Sequence, residues 1–213
     1  MSGSPGTSFL IFGLQMAATM VCAVGGTLAA GRKRLDVVGV VFVSFVAAVG
    51  GGSLRDLLLD RNPVFWLAQP CYLTVSLVAG ALTWIYICRW RAPVRFLSFV
   101  DAFGLALFTI SGIQIAQGTG QSVPICLVMG VITGVAGGLF RDLLCGEIPS
   151  IFKSGELYAS ASLLGGGAFF IVERWGADPR LSAFLGAGTV VGLRLAALQL
   201  GWRLPVMKIK RSR

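Results

Sequence analysis

Apolar stretches of bilayer-crossing length recur along the chain, and short segments rich in Lys, Arg, Gly and Pro separate them. A helix needs about 20 mainly apolar residues to cross the hydrocarbon core. By that rule the pattern predicts seven spans, at 9–30, 37–59, 71–88, 96–116, 123–145, 157–172 and 181–204. The sixth is short, and the seventh carries Arg194 within its apolar run.

The pattern is also written twice. Gly50-Gly51-Gly52-Ser53-Leu54-Arg55-Asp56-Leu57-Leu58 in the second span returns 86 residues later as Ala136-Gly137-Gly138-Leu139-Phe140-Arg141-Asp142-Leu143-Leu144 in the fifth. At the same offset Pro63 falls on Pro149, Tyr72 on Tyr158, Ser76 on Ser162, Gly80 on Gly166 and Gly26 on Gly112. The small-residue ladder Ser44, Ala48, Gly52 falls on Gly130, Gly134, Gly138 without a gap. A fixed period of this size indicates internal duplication. The units are 9–88 and 95–173, followed by a seventh span at 181–204 and a basic tail at 205–213. Three spans per unit is an odd number, so the second unit enters the membrane from the opposite side. The expected fold is an all-α membrane protein of seven transmembrane helices: two inverted three-helix repeats plus a seventh helix. Inverted repeats place a pseudo-two-fold axis in the membrane plane and the functional site at mid-depth between them. Gly186, Gly188 and Gly192 on the seventh helix suit close packing against the bundle or a neighbouring subunit.

Composition agrees with this class. The 213 residues are 55% hydrophobic and 13% charged, with a mean hydropathy of +0.81, against about 25% charged in soluble domains. The net charge of +9 is distributed unevenly. Arg32, Lys33, Arg34, Arg89, Arg91, Arg95, Lys153, Arg203, Lys208, Lys210, Arg211 and Arg213 fall on one side of the predicted spans. Only Arg61, Arg174 and Arg180 fall on the other. Lys and Arg accumulate in cytoplasmic loops. The expected topology is therefore multi-pass in the cell inner membrane, with the amino terminus outside and the carboxyl terminus cytoplasmic. The tail suits contact with anionic membrane lipids, and no nucleic-acid partner is expected. No Lys or Arg precedes Arg32, so the first stretch reads as a true span rather than a signal peptide. Histidine is absent, and Cys22, Cys71, Cys88, Cys126 and Cys145 form no C-x-x-C pair. They read as apolar packing residues rather than disulfides or metal ligands. With no nucleophile motif either, neither enzymatic activity nor a cofactor is expected.

Two features in the spans carry the candidate chemistry. Glycine weakens a helix by about 1 kcal/mol per residue, so Gly50, Gly51, Gly52, Gly137 and Gly138 are expected to let the second and fifth helices bend or unwind. Carbonyls freed there would suit a monovalent cation held transiently, the one metal site expected. The same glycines also suit close helix packing, and the two readings can hold on different faces. The second feature is charge. Arg55, Asp56, Arg141 and Asp142 each cost roughly 2.5–3.5 kcal/mol at a helix centre and need partners. Adjacent residues project about 100° apart, which predicts pairs across the repeats, Arg55 with Asp142 and Arg141 with Asp56. Such pairs would lock the halves together or line a permeation path. Asp101 and Arg194 bring the set to three arginines and three aspartates, so net attraction cannot select a cation. Thr109, Ser111, Gln114, Ser76 and Ser162 are further polar positions, although Ser and Thr commonly bond back to their own helix. Tyr72 and Tyr158 suit an interfacial belt, and Lys153 and Glu156 a solvated loop.

The doubled glycine–Arg-Asp-Leu-Leu motif resembles the bacterial branch of the trimeric intracellular cation (TRIC) channel family. So do Pro63-Val64-Phe65-Trp66, Asp101-Ala102-Phe103-Gly104, Cys145-Gly146-Glu147-Ile148-Pro149 and Glu156-Leu157-Tyr158. The resemblance implies a homotrimer with seven helices and one pore per protomer, passing monovalent cations (potassium, sodium), chiefly potassium. It implies kinks in the second and fifth helices at the glycines named above. The pathway residues would be Gly50, Gly51, Gly52, Arg55, Asp56, Gly137, Gly138, Arg141, Asp142, Asp101, Ser111, Ser76 and Ser162. One departure stands out: Gln15 occupies the position opposite Asp101, where the family usually has an acid. Similar bacterial sequences are also grouped as small amino-acid transporters. That leaves a secondary transporter of a small zwitterion such as glycine as the alternative.

Overall fold

The computed structural model describes residues 5–90, 93, 95–153 and 157–202. Arg91, Glu156, the last two residues of the seventh predicted span and the basic tail at 205–213 lie outside them. The described chain is all-helical: α1 (Pro5–Arg32), α2 (Val37–Leu58), α3 (Phe65–Ala68), α4 (Cys71–Arg89), α5 (Phe96–Gly118), α6 (Val123–Leu144), a 3-10 turn (Ser150–Phe152), α7 (Ala159–Arg174) and α8 (Pro179–Leu200).

Six of these, α1, α2, α4, α5, α6 and α8, are long and apolar enough to cross a membrane. The sixth predicted span is α7, with 16 residues; at 1.5 Å per residue it is about 24 Å long, short of the roughly 30 Å hydrocarbon core. The distribution of side chains is that of a multi-pass membrane protein. Val38, Phe42, Leu82, Ile85 and Phe184 are exposed on the outside, whereas Thr19, Thr27, Ser76, Thr109 and Arg55 are fully buried.

Helix starts follow local chemistry. Asp36 accepts a hydrogen bond from the Gly39 N–H at 2.7 Å and opens α2. Asp178 accepts from the Arg180 N–H at 2.6 Å, with Pro179 in the first turn of α8. Helix ends repeat at the same offset as the sequence. Arg34 (φ +54°) and Gly120 (φ +78°) follow α1 and α5, and Asp60 (φ +51°) and Gly146 (φ +64°) follow α2 and α6. The left-handed conformation costs a non-glycine residue roughly 1–2 kcal/mol. Arg34→Gly is therefore expected to raise the melting temperature of the detergent-solubilised protein, with a gain of about 1 kcal/mol. A lower melting temperature for Arg34→Gly than for the wild type would contradict this.

In the core, α1 lies against α2, α4 and α5, and α2 and α6 pack on each other. α8 packs on α7 and α5. Gly26 allows α1 to approach α2: a Cβ there would lie 2.7 Å from Ser44 Cα. Gly112, 86 positions on, does the same for α5 and α6, with Gly130 Cα at 3.1 Å. Gly186 seats α8 against Ile110 and Phe169, as expected of it; a Cβ added at Gly188 or Gly192 would meet nothing within 4 Å. Tyr72 and Tyr158, read from sequence as interfacial, are both 2% exposed and form part of the core. Their position early in a predicted span does not distinguish a ring facing the headgroups from one turned inward against Phe65 or Asp101. The five cysteines are free thiols.

Candidate functional site

The duplicated motif meets itself where α2 crosses α6. A Cβ on Gly51 would overlap the carbonyl oxygen of Thr133, and one on Gly137 would lie 2.7 Å from the carbonyl oxygen of Ala47. Thr133 is the counterpart of Ala47 at the 86-residue offset, so the contact is reciprocal, as contacts across a two-fold axis are. A Cβ on Gly50 would lie 2.6 Å from the Phe140 ring, one on Gly52 would run into the Phe65 ring, and one on Gly138 would lie 2.6 Å from the Tyr158 hydroxyl. Both helices remain α-helical through these positions. The expected unwinding is absent, because close backbone contact holds the glycines in helical geometry and their carbonyls stay within the helix.

One turn beyond the crossing, each repeat carries a buried arginine. Arg55, fully buried, donates from Nε to Asp56 Oδ1 at 2.9 Å and from Nη2 to Gln15 Oε1 at 3.2 Å. Arg141 donates from Nε to Asp142 Oδ1 at 2.8 Å and from Nη1 to Asp101 Oδ1 at 2.7 Å. The cross-repeat pairs expected from sequence are not formed. Each arginine instead pairs with the adjacent aspartate and with the residue 40 positions earlier. Adjacent residues do pair here because the arginine stem is long enough for its guanidinium to reach a carboxylate that points past the helix end. The second oxygen of each carboxylate anchors the next element: Asp56 Oδ2 accepts from the Phe65 N–H at 2.8 Å, and Asp142 Oδ2 from the Ser150 N–H at 2.9 Å. Asp101 also accepts from the Tyr158 hydroxyl at 3.3 Å, and the Arg194 guanidinium lies over the Tyr158 ring, 4.8 Å from its centroid.

Two cavities open beside these clusters. One, of about 270 Å³, is lined by Asp101, Arg141 and Asp142 together with Ala29, Arg32 and Lys33 from the end of α1 and Leu97 and Ser98 from the start of α5. The other, of about 440 Å³, is lined by Ile11, Phe12 and Gln15 from the start of α1, Gln114, Ile115, Gly118 and Thr119 from the end of α5, and Arg61, Phe65 and Tyr72. At the 86-residue offset Ile11 maps to Leu97, Gln15 to Asp101, Ala29 to Ile115 and Lys33 to Thr119. Helices α1 and α5 therefore lie antiparallel, and the two arginine clusters sit at opposite ends of the pair. Beside the Asp101 cavity, against the glycines of α6, is a gap of about 10 Å³ lined by Cys22, Gly25, Gly134, Gly137, Gly138, Asp101, Arg141 and Tyr158. At the mouth of the Asp101 cavity Lys33 and Glu147 form an exposed ion pair. The Lys33 ammonium holds the Glu147 carboxyl below its ordinary range; Lys153 is exposed beside them.

Comparison with known proteins identifies the architecture. A family model described as "Glycine transporter" matches residues 12–87 and again 98–174, one match per repeat. The UPF0126 inner membrane protein YadS of Escherichia coli (strain K12) is 37% identical over 202 residues, covering 94% of this chain and 97% of the relative. The crystal structure of the trimeric intracellular cation channel orthologue from Rhodobacter sphaeroides superposes with a TM-score of 0.85 at 38% identity, over 90% of this chain and 98% of that one. The chain belongs to the bacterial branch of the TRIC family. A prokaryotic TRIC channel crystallised in 0.5 M KCl is similar too, with a TM-score of 0.83 at 26% identity over 92% of this chain and all of that one.

In this TRIC family member the hydroxyls singled out from sequence are already engaged. Ser76 donates to the Leu73 carbonyl at 2.8 Å and Ser111 to the Phe108 carbonyl at 3.2 Å, both within their own helices. Ser162 and Thr109 share a hydrogen bond of 2.6 Å that ties α7 to α5. Sequence reasoning missed Gln15 as a partner of Arg55, and Arg61, which donates to Asp56 Oδ1 at 3.2 Å. The available signal was the common spacing of 40 residues, from Gln15 to Arg55 and from Asp101 to Arg141.

Proposed function

We propose that this protein is a monovalent-cation channel, chiefly for potassium with sodium as a poorer substrate, built as two inverted three-helix repeats at 9–88 and 95–173. In this reading α7 completes the second repeat as the sixth of seven spans, and α8 (181–204 in the sequence reading) stands outside the duplication. The protein works as a homotrimer in the lipid of the inner membrane, with one pore per protomer. The amino terminus faces outward, so the Gln15 cavity opens outside and the Asp101 cavity opens to the cytoplasm, on the side of the basic tail. The observation that carries the reading is the pair of cavities approaching the glycine crossing from opposite ends of α1 and α5. The likeness to solved TRIC cation channels supports the ion class.

The path runs past Gln15, Arg55 and Asp56, over Gly50, Gly51, Gly52, Gly137 and Gly138, to Asp101, Arg141 and Asp142, with Ser76, Ser111 and Ser162 in the wall behind. At about 10 Å³ the gap beside the Asp101 cavity has room for a single water-sized sphere, so conduction requires Asp101, Arg141 and Tyr158 to move apart. Purified protein in planar bilayers under a potassium gradient is expected to give discrete current steps reversing near the potassium equilibrium potential. Saturable glycine counterflow in proteoliposomes without such steps would replace the channel by a carrier.

A further inference from the structure

The two repeats place charge differently at matching positions, and the difference falls on one cavity. At the 86-residue offset Gln15 stands for Asp101 and Arg61 for Glu147. Both differences take a carboxylate away from the Gln15 end, and the second also adds a guanidinium. Arg141 consequently has two carboxylates in contact, Asp101 and Asp142, whereas Arg55 and Arg61 share the carboxylate of Asp56. Gln15 offers Arg55 a neutral amide oxygen in place of a second carboxylate. Asp101, Asp142 and Glu147 line the Asp101 cavity among five cationic side chains. Among the described residues that line the Gln15 cavity, Arg61 is the one charged group, and every side-chain oxygen is neutral. Asp60 is exposed in the turn after α2, and Glu173 accepts a hydrogen bond from Gln117; neither lines that cavity.

On the channel reading proposed above, on which this rests, we infer that Gln15 and Arg61 set the unitary conductance for cations. They do so by leaving one excess positive charge in the wall of the Gln15 cavity, where Arg55 and Arg61 face a single carboxylate. The charge acts through its field and needs no contact with the ion. Arg55 is fully buried and the Arg61 side chain is 33% exposed, so the excess sits in the protein wall rather than in bulk solvent. Repulsion between like charges is stronger at the effective dielectric near protein than in water, and low-dielectric walls focus the field into the cleft. A cation in the Asp101 cavity has carboxylate oxygens in the wall beside it. One in the Gln15 cavity meets a guanidinium and neutral oxygens only. The steric closure is separate: the gap of about 10 Å³ lies beside Asp101, Arg141 and Tyr158. That gap governs how often the path is open, and the Gln15 end governs how much current the open path carries. A single-channel record reads the two quantities independently, as dwell times and as amplitude.

The experiment records single-channel amplitudes of the full chain in planar bilayers, in symmetric KCl of about 0.1 M, where the Debye length is about 10 Å. Gln15→Asp, which gives Arg55 the second carboxylate that Arg141 has, is expected to raise the unitary potassium conductance at least about threefold. Arg61→Gln, at a partly exposed position, removes the excess charge by another route and is expected to give a similar rise. Both gains should be smaller in about 1 M KCl, where mobile ions screen within about 3 Å. Arg180→Gln makes the same change in net charge at an exposed position at the start of α8, off the cavity, and should leave the amplitude unchanged. Wild-type steps whose amplitude is unaltered in both Gln15→Asp and Arg61→Gln would overturn the inference and leave the channel reading intact. So would an equal rise in Arg180→Gln, or a gain independent of salt. Absence of steps in the wild type would overturn both.

Discussion

Gly51→Ala is expected to destabilise the protein by about 3 kcal/mol or more, at the upper end of what overpacking costs. The reason is the identity of the obstructing atom. At Gly51 the new methyl would overlap the backbone carbonyl oxygen of Thr133, with the Gly137 amide nitrogen at 3.3 Å. Neither can turn aside as a side chain does, so the α2–α6 crossing has to open along its length. Gly50→Ala provides the internal comparison: there the methyl meets the Phe140 ring at 2.6 Å, and a ring can rotate away, so the loss should be clearly smaller. At Gly167 and Gly188 nothing lies within 4 Å. Alanine there should be neutral or stabilising by up to about 1 kcal/mol, the intrinsic helix preference. Melting temperatures of the four variants in one detergent test the order. If Gly51→Ala melts with Gly188→Ala, the crossing does not hold the halves together.

The same comparison shows what could be read from the chain and what could not. The span pattern was legible because bilayer thickness fixes helix length, and four of the seven predicted starts, at 37, 71, 96 and 123, coincide with helix starts in the structure. The duplication was legible because glycines at a helix crossing tolerate no substitution that adds a Cβ, which kept Gly51 and Gly137 in register. The behaviour of those glycines was not legible. Low helix propensity and close packing leave the same residues in the sequence, and only the neighbours distinguish them: Ala47 and Thr133 press the backbone into helical geometry. The charge pairing was misread for a different reason. Identical motifs invite a pairing with one another, yet Arg55 and Asp142 belong to clusters beside cavities at opposite ends of the antiparallel α1 and α5. That separation excludes the cross-repeat pair and leaves α1 and α5 themselves as the source of partners. Gln15 and Asp101 are those partners.

A double-mutant cycle turns that geometry into a measurement. Arg141 and Asp101 are joined at 2.7 Å and both are nearly buried. Removing one partner of a buried ion pair typically costs about 3–5 kcal/mol, because the other charge is left uncompensated. Asp101→Ala is expected to lose that much, with the Tyr158 hydroxyl losing its acceptor as well. Arg141→Ala in the Asp101→Ala background should then cost far less than it does alone, a coupling of about 1–3 kcal/mol. Arg55→Ala combined with Asp142→Ala should behave differently. These residues share no partner, and each belongs to its own cluster, so the two losses should add to within about 0.5 kcal/mol. Gln15→Ala should be milder than Asp101→Ala, since a neutral amide gives Arg55 one hydrogen bond at 3.2 Å and no charge. Strong coupling between Arg55 and Asp142, measured by thermal or chemical unfolding in detergent, would restore the cross-repeat lock and contradict the pairing described here.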